Sequence, residues 1–305
     1  MDESTQVAVV PPVPVEYRLV PGHRGCVVVF HGGHLRAGSS TGAAALVAAG
    51  YTVLVPSRPG YGRTPMAAGP GPAEFAATTA RLCSHLGLEQ VLAVVGISAG
   101  GPTAVAMAAL HPERVHALVL HSARSSLPFP SGATRAVARV AFDPRLEAGS
   151  WALTRRLMRS APEAGLRLMM GSLSTLPARQ VVEDLTPHER SVLVDAFADM
   201  RSGSGFLADV RQPVDPALER QVTQPTLVVA SRTDGQVGWH HAEQLARTIP
   251  RATVWASPSL SHLVWFGSGG PATDQRTEDF LVRVRPGEEL PPSADVRTRR
   301  PPRQP

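Results

Sequence analysis

A chain of 305 residues with 43% hydrophobic and 18% charged residues is large enough for one sizeable domain, or for a core carrying an insertion. Its formal net charge of +5 is modest, and every basic residue is arginine, part of the excess sitting at Arg297, Arg299, Arg300 and Arg303. With aromatics at 5% and no basic stripe interleaved with them, a nucleic-acid partner is not expected. The N-terminal Met1-Asp2-Glu3-Ser4-Thr5-Gln6 lacks a basic n-region and an apolar h-region, and no apolar run reaches about 18 residues. The expectation is a cytoplasmic protein without stable membrane insertion, its oligomeric state left open. Cys26 and Cys83 fall in a strand and a helix pattern without metal-like spacing, so two buried, reduced thiols are expected.

In chain order, Val15 to Val20 alternates as an edge strand does, and Pro21-Gly22 ends it. Cys26 to Phe30 is a continuous β-branched run, the pattern of a strand covered on both faces. The loop His31-Gly32-Gly33-His34 follows, then a small-residue helix around Thr41 to Ala49 closed by Gly50. Tyr51 to Val55 is the next buried strand, Pro56 to Thr64 a Gly/Pro loop, and Ala73 to Leu86 a helix stopped by Gly87. Val91 to Val95 is a strand running into Gly96-Ile97-Ser98-Ala99-Gly100-Gly101. A helix then extends through Thr103 to Leu110, and Val115 to His121 is another strand. The alternation predicts an α/β fold: a mostly parallel sheet with helices on both faces and the strand C-termini along one edge.

The rhythm breaks after Ala123. Residues 124–221 carry helical patterns, clearest over Trp151 to Arg159, Ala164 to Met170 and His188 to Met200, and no convincing buried strand. Alternation resumes with the strand Thr226 to Ala230, a helix from His240 to Thr248, the strand Ala252 to Trp255, and a helix from Thr273 to Val284. The expected organisation is a core over 1–123 and 222–285, a helical cap over 124–221, and a disordered Pro- and Arg-rich tail over 286–305.

Gly-x-Ser-x-Gly between a strand and a helix is the arrangement of a nucleophile elbow, in which small residues let strand and helix crowd a strained serine. Ser98 is therefore the candidate nucleophile. A serine hydroxyl needs a base to take its proton, and the base needs an acid to fix its tautomer. Asp234 follows the strand Thr226 to Ala230 and His262 follows the strand ending at Trp255, so the order is Ser98, Asp234, His262. The N–H of Ala99 and that of Gly33, or of His34 one position on, are the candidate oxyanion donors. His121 also ends a strand but has no suitable acid; it is expected to be structural or pocket-lining. Leu166, Arg167, Leu168, Met169 and Met170 either pack the cap's own core or face a pocket.

With His31-Gly32-Gly33, Arg58-Pro59-Gly60-Tyr61-Gly62-Arg63-Thr64, the serine motif, Thr233-Asp234 and Ser261-His262 in this order, the chain resembles the α/β-hydrolase superfamily over nearly all of residues 15–285. Serine at position 98 departs from members with an aspartate nucleophile, such as haloalkane dehalogenases and epoxide hydrolases. His34 stands where proline-iminopeptidase-like members usually carry proline. Ser98, His262 and Asp234 together predict hydrolysis through an acyl-enzyme, and the expected substrate is a carboxylic ester, with a small to medium apolar acyl or alcohol group favoured where residues of the segment 166–170 face the pocket. The same machinery also suits a thioester, amide, lactone or C–C bond, and a non-catalytic ligand-binding member is the remaining alternative. No Walker loop, dinucleotide fingerprint or paired metal ligands are present, so neither cofactor nor metal is expected.

Overall fold

The computed structural model describes residues 4–39, 42–129 and 147–284. Its centre is an eight-stranded sheet: β1 (Gln6–Val10), β2 (Val13–Val20), β3 (Arg24–Phe30), β4 (Tyr51–Pro56), β5 (Val91–Ile97), β6 (Val115–His121), β7 (Thr226–Ser231) and β8 (Ala252–Ser257). The spatial order is β1-β2-β4-β3-β5-β6-β7-β8. β1 and β2 pair antiparallel and β2 runs antiparallel to β4, while every pairing from β4 to β8 is parallel. The β-branched runs explain the centre, since β5 is buried at all seven positions and can only sit beneath helices on both sides.

Helices α1 (Ala44–Ala48), α2 (Pro72–His85) and α3 (Gly101–Leu110) connect the first six strands. Between β6 and β7 the described residues hold six helices: α4 (Glu147–Ser160), α5 (Pro162–Leu173), α6 (Ala178–Glu183), α7 (Pro187–Asp199), α8 (Gly205–Arg211) and α9 (Pro216–Gln221). Helices α10 (Trp239–Thr248) and α11 (Gly270–Arg283) complete the alternation. One face of the sheet packs Phe75, Leu82, Met107 and Leu245 from α2, α3 and α10 against Val28, Val94, Leu118 and Val228. The other packs Leu46 and Leu281 from α1 and α11 against Val29, Val53, Val95 and Val119.

The helical segment between β6 and β7 has a core of its own, made by Met158, Leu166, Met170, Val181, Val182, Leu185, Leu193 and Phe197. Leu166 and Met170 thus turn into that core, whereas Leu168 is exposed. Phe197 is fully buried there, and its truncation to alanine would cost about 3–5 kcal/mol in lost burial and cavity. Leu260, Leu263 and Phe266, from the loop after β8, pack against the same cluster, so this segment sits on the sheet's C-terminal edge.

The sheet edge differs from the sequence expectation: β1, not β2, is the outer strand. Val7 and Val9 of β1 face outward, and Pro11-Pro12 breaks its run, so it lacks the long apolar signal of a covered strand. The short helices α6, α8 and α9 span too few residues for a clear 3.6-residue period. The small-residue helix expected over 41–49 is confined to α1 among the described residues. The predicted tail, 286–305, lies outside the described residues, as does the stretch 130–146 of the predicted cap.

Candidate active site

Six parallel strand ends converge on one edge, and the residues just past them form the candidate site. Phe30 of β3, Gly96 of β5 and Leu120 of β6 lie side by side, so the loops that follow begin as neighbours. Three non-glycine residues among those described hold a positive φ, and all three sit on these loops: His34 at 64°, Ser98 at 50° and Ser122 at 45°. Such conformations cost on the order of 1–3 kcal/mol each and persist only where surrounding contacts enforce them.

Ser98 opens a single tight turn, Ser98–Gly100, between β5 and α3. A Cβ on Gly96 would lie 2.6 Å from the Ala104 side chain and one on Gly100 would lie 2.6 Å from the His31 carbonyl, so only glycine fits at either position. The turn is further held by Arg124, whose backbone N–H donates to the Ser98 carbonyl at 3.1 Å.

Asp234 and His262 meet: His262 Nδ1 lies 2.7 Å from Asp234 Oδ2, and both side chains are buried. A carboxylate only accepts, so Nδ1–H donates and the lone pair is left on Nε2. The second carboxylate oxygen, Oδ1, accepts from the backbone N–H groups of Gln236 at 2.7 Å and Val237 at 2.8 Å, which fixes the rotamer. The His262 backbone is anchored at both ends. Ser122 Oγ donates to its carbonyl at 2.8 Å, and its N–H donates to the Leu173 carbonyl at 2.8 Å.

The His31–His34 loop lies against the serine turn, with the Cβ position of Gly32 only 3.4 Å from Ser98 Cβ. His31 Nε2 accepts from the Arg58 backbone N–H at 2.9 Å, which leaves Nδ1–H to donate to the Gly32 carbonyl at 2.8 Å. Burial, with the Arg58 charge nearby, holds His31 well below the usual histidine range, so the ring is neutral. Arg58 Nη2 also reaches the Gly32 carbonyl, at 3.3 Å. The Gly32–Gly33 peptide is planar and trans, so with its carbonyl directed at His31 and Arg58, the N–H of Gly33 projects the opposite way.

Arg58 ties this loop to the helical segment. Its Nε donates to the His31 carbonyl at 2.9 Å, and its two terminal nitrogens grip Asp209 of α8 at 2.6 and 2.8 Å. Tyr61 Oη donates to the same carboxylate at 2.6 Å. Burial opposes the Arg58 charge, but Asp209 and Tyr61 outweigh it, and the guanidinium is held in its charged form. The Arg58–Thr64 motif marks this loop in the sequence, whereas nothing marks Asp209, 151 positions away. The role of Ser122 and of Leu173–Thr175 is equally silent in the sequence, because both bond to the backbone of loops far along the chain.

His34 is half-buried between aromatic rings, with centroid distances of 5.0 Å to Trp151 and 4.0 Å to Phe206. Trp151 Nε1–H donates to Ser202 Oγ at 2.8 Å, and Ser202 Oγ lies 2.8 Å from His34 Nδ1. Burial, with the Arg58 charge second, pushes His34 down to about 3. His121 accepts from Trp265 Nε1 at 2.9 Å and pairs with Thr277 Oγ1 at 3.1 Å, and burial pushes it down to about 3. It also lines a cavity of about 370 Å³ between α1 and α11. Among the described residues, no group of three or more His, Cys, Asp or Glu is disposed to hold a metal ion, and no helix is long and apolar enough to cross a membrane.

Comparison with known proteins agrees with this architecture. The family model described as alpha/beta hydrolase fold matches residues 25–267. The uncharacterized hydrolase YcgS of Bacillus subtilis (strain 168) is 33% identical over 269 residues, covering 86% of this chain and 93% of its own. Among solved structures, an alpha/beta hydrolase fold protein from Nakamurella multipartita aligns with a TM-score of 0.78 at 27% identity, over 92% of this chain and 99% of the other. A thermophilic esterase from Thermogutta terrifontis aligns with a TM-score of 0.64 at 21% identity, over 92% and 99%, a likeness of fold alone. With a family match over most of its length and a relative of this identity and coverage, the chain is an alpha/beta hydrolase, a member of the family of that fold.

Proposed function

We propose that this protein is a serine hydrolase that cleaves a carboxylic ester with a small to medium apolar acyl or alcohol group. The observation that carries the reading is the buried Asp234–His262 contact at 2.7 Å, which leaves a basic Nε2 on a histidine whose loop shares the sheet edge with the strained Ser98. In this mechanism Ser98 Oγ attacks the acyl carbon and His262 Nε2 takes its proton. Asp234 stabilises the imidazolium, and His262 returns the proton to the leaving alkoxide. Water then attacks the acyl-enzyme with His262 again as base, releasing the acid and restoring Ser98. The oxyanion rests on the N–H groups of Ala99 and Gly33. The orientation of the Gly32–Gly33 peptide supports Gly33 over His34 for this part. We take α4–α9 as the cap over the site, and its own core accounts for Leu166 and Met170.

The test is turnover of p-nitrophenyl esters of two to eight carbons. Ser98→Ala is expected to abolish it while leaving Tm almost unchanged, and full activity in that variant refutes the assignment. Activity falling steadily with chain length refutes the apolar-substrate preference. Thioester, amide and lactone substrates in the same panel separate the ester reading from its alternatives, because the elbow does not record the leaving group.

A further inference from the structure

The last turn of α5 is hydrogen-bonded to the loops bearing Asp234 and His262 at once. The Leu173 carbonyl accepts from the Gly235 N–H at 3.2 Å and from the His262 N–H at 2.8 Å. One residue on, Ser174 forms a bridge with Asp234, and its Oγ donates to the Leu260 carbonyl at 2.5 Å while accepting from the Leu176 N–H at 3.1 Å. Thr175 N–H donates to the Thr233 carbonyl at 2.9 Å, and Gln236 Nε2 donates to the Ser172 carbonyl at 2.6 Å. A side chain on Gly235 would lie 2.8 Å from the Ser174 nitrogen, so the two backbones are in direct contact. Each bond that crosses this junction ends within two residues of Asp234 or His262.

We infer that Ser174 is a positioning residue: it joins the helical segment to both loops, so the Asp234–His262 pair holds its working geometry only while α5 is seated. This rests on the serine-hydrolase reading above. The sheet alone grips His262 through its carbonyl, from Ser122 Oγ, whereas the His262 N–H is held from α5. Ser174 is buried, and its hydroxyl reaches into the His262 loop at the Leu260 carbonyl. Without that bond the loop keeps its anchor in the sheet and gains freedom on the α5 side. A shift of about 1 Å in a reacting group costs up to about 100-fold in rate, so partial loosening predicts roughly a tenfold loss.

The experiment measures the second-order rate of labelling by a fluorophosphonate probe, together with kcat and KM for p-nitrophenyl butyrate and Tm. Ser174→Ala is expected to label and turn over roughly tenfold more slowly at a KM within about twofold of wild type, and Ser174→Thr to recover most of the rate. Wild-type rates in Ser174→Ala overturn the inference, and so does a Thr variant as slow as the Ala variant. If Ser174→Ala does not fold, the exposed Gln236→Ala decides, with an expected loss of about two- to threefold and overturn by an unchanged rate. Failure of the wild-type protein to label at all refutes the serine-hydrolase reading, and the inference falls with it. Normal wild-type labelling with an indifferent Ser174 refutes the inference alone.

Discussion

Replacing Asp209 with alanine removes the only carboxylate that grips the Arg58 guanidinium among the described residues and leaves that charge among protein groups. The Arg58 side chain is 4% exposed and that of Asp209 14%, so the pair is nearly dry. Three short bonds go with the carboxylate: two from Arg58 at 2.6 and 2.8 Å and one from Tyr61 at 2.6 Å. Breaking a buried pair by removing one partner costs about 3–5 kcal/mol, and the partial exposure of Asp209 places this case near the lower figure. At about 2–4 °C per kcal/mol for a domain of this size, Tm should fall by about 6–12 °C. Asp209→Asn keeps the shape and one acceptor, so its loss should be about half as large. Because Arg58 also holds the His31 and Gly32 carbonyls, kcat should fall in the alanine variant along with Tm. Differential scanning fluorimetry and ester turnover on the three proteins decide the matter. An alanine variant within about 2 °C of wild type, with unchanged kcat, refutes the view that this pair braces the His31–His34 loop.

Asp234→Asn keeps an oxygen for the N–H groups of Gln236 and Val237 but loses the charge facing His262, so kcat should drop by roughly 10³–10⁴-fold with little change in Tm. A variant within about tenfold of wild type argues against Asp234 as the acid. Stability should also depend on pH. His31, His34, His121 and His241 are all held below the ordinary 6.5 by burial, so unfolding takes up protons below that value; their stabilisation is full above 6.5 and is lost progressively as pH falls toward about 3. Asp274, pushed up to about 6 by burial, runs the other way and offsets part of that uptake, while His111, also lowered by burial, adds to it. The urea midpoint should fall sharply between pH 7 and pH 5, and equal midpoints contradict the assignment. Cys26 and Cys83 are free and buried, with thiols pushed up to about 12, so a thiol reagent should find none in the native protein and two after denaturation. Rapid native reaction of either contradicts that burial.

The central strands are legible because β-branched runs such as Val27-Val28-Val29 can satisfy their burial only inside a two-faced sheet. Asp234 and His262 were reachable for a related reason. Each follows a recognisable strand, and topology sends all such loops to one edge. Asp209 and Ser174 were not. Their partners lie 151 and 86 positions away, and the contacts depend on how short helices such as α8 and the end of α5 seat on the sheet. That seating follows from packing in three dimensions, through Leu260, Leu263 and Phe266 against the helical core, and leaves no periodic trace in the chain. β1 escaped for the opposite reason, since an outer strand with half its side chains in water carries little apolar signal.

The proposal that Ser98 forms an acyl-enzyme is tested most directly by quenching a reaction with p-nitrophenyl butyrate in acid and mapping the digested protein by mass spectrometry. The mechanism predicts a butyryl adduct on the peptide containing Ser98, absent from Ser98→Ala and accumulating in a variant slowed in deacylation. Turnover with no adduct, or an adduct on another residue such as Ser125, would contradict it.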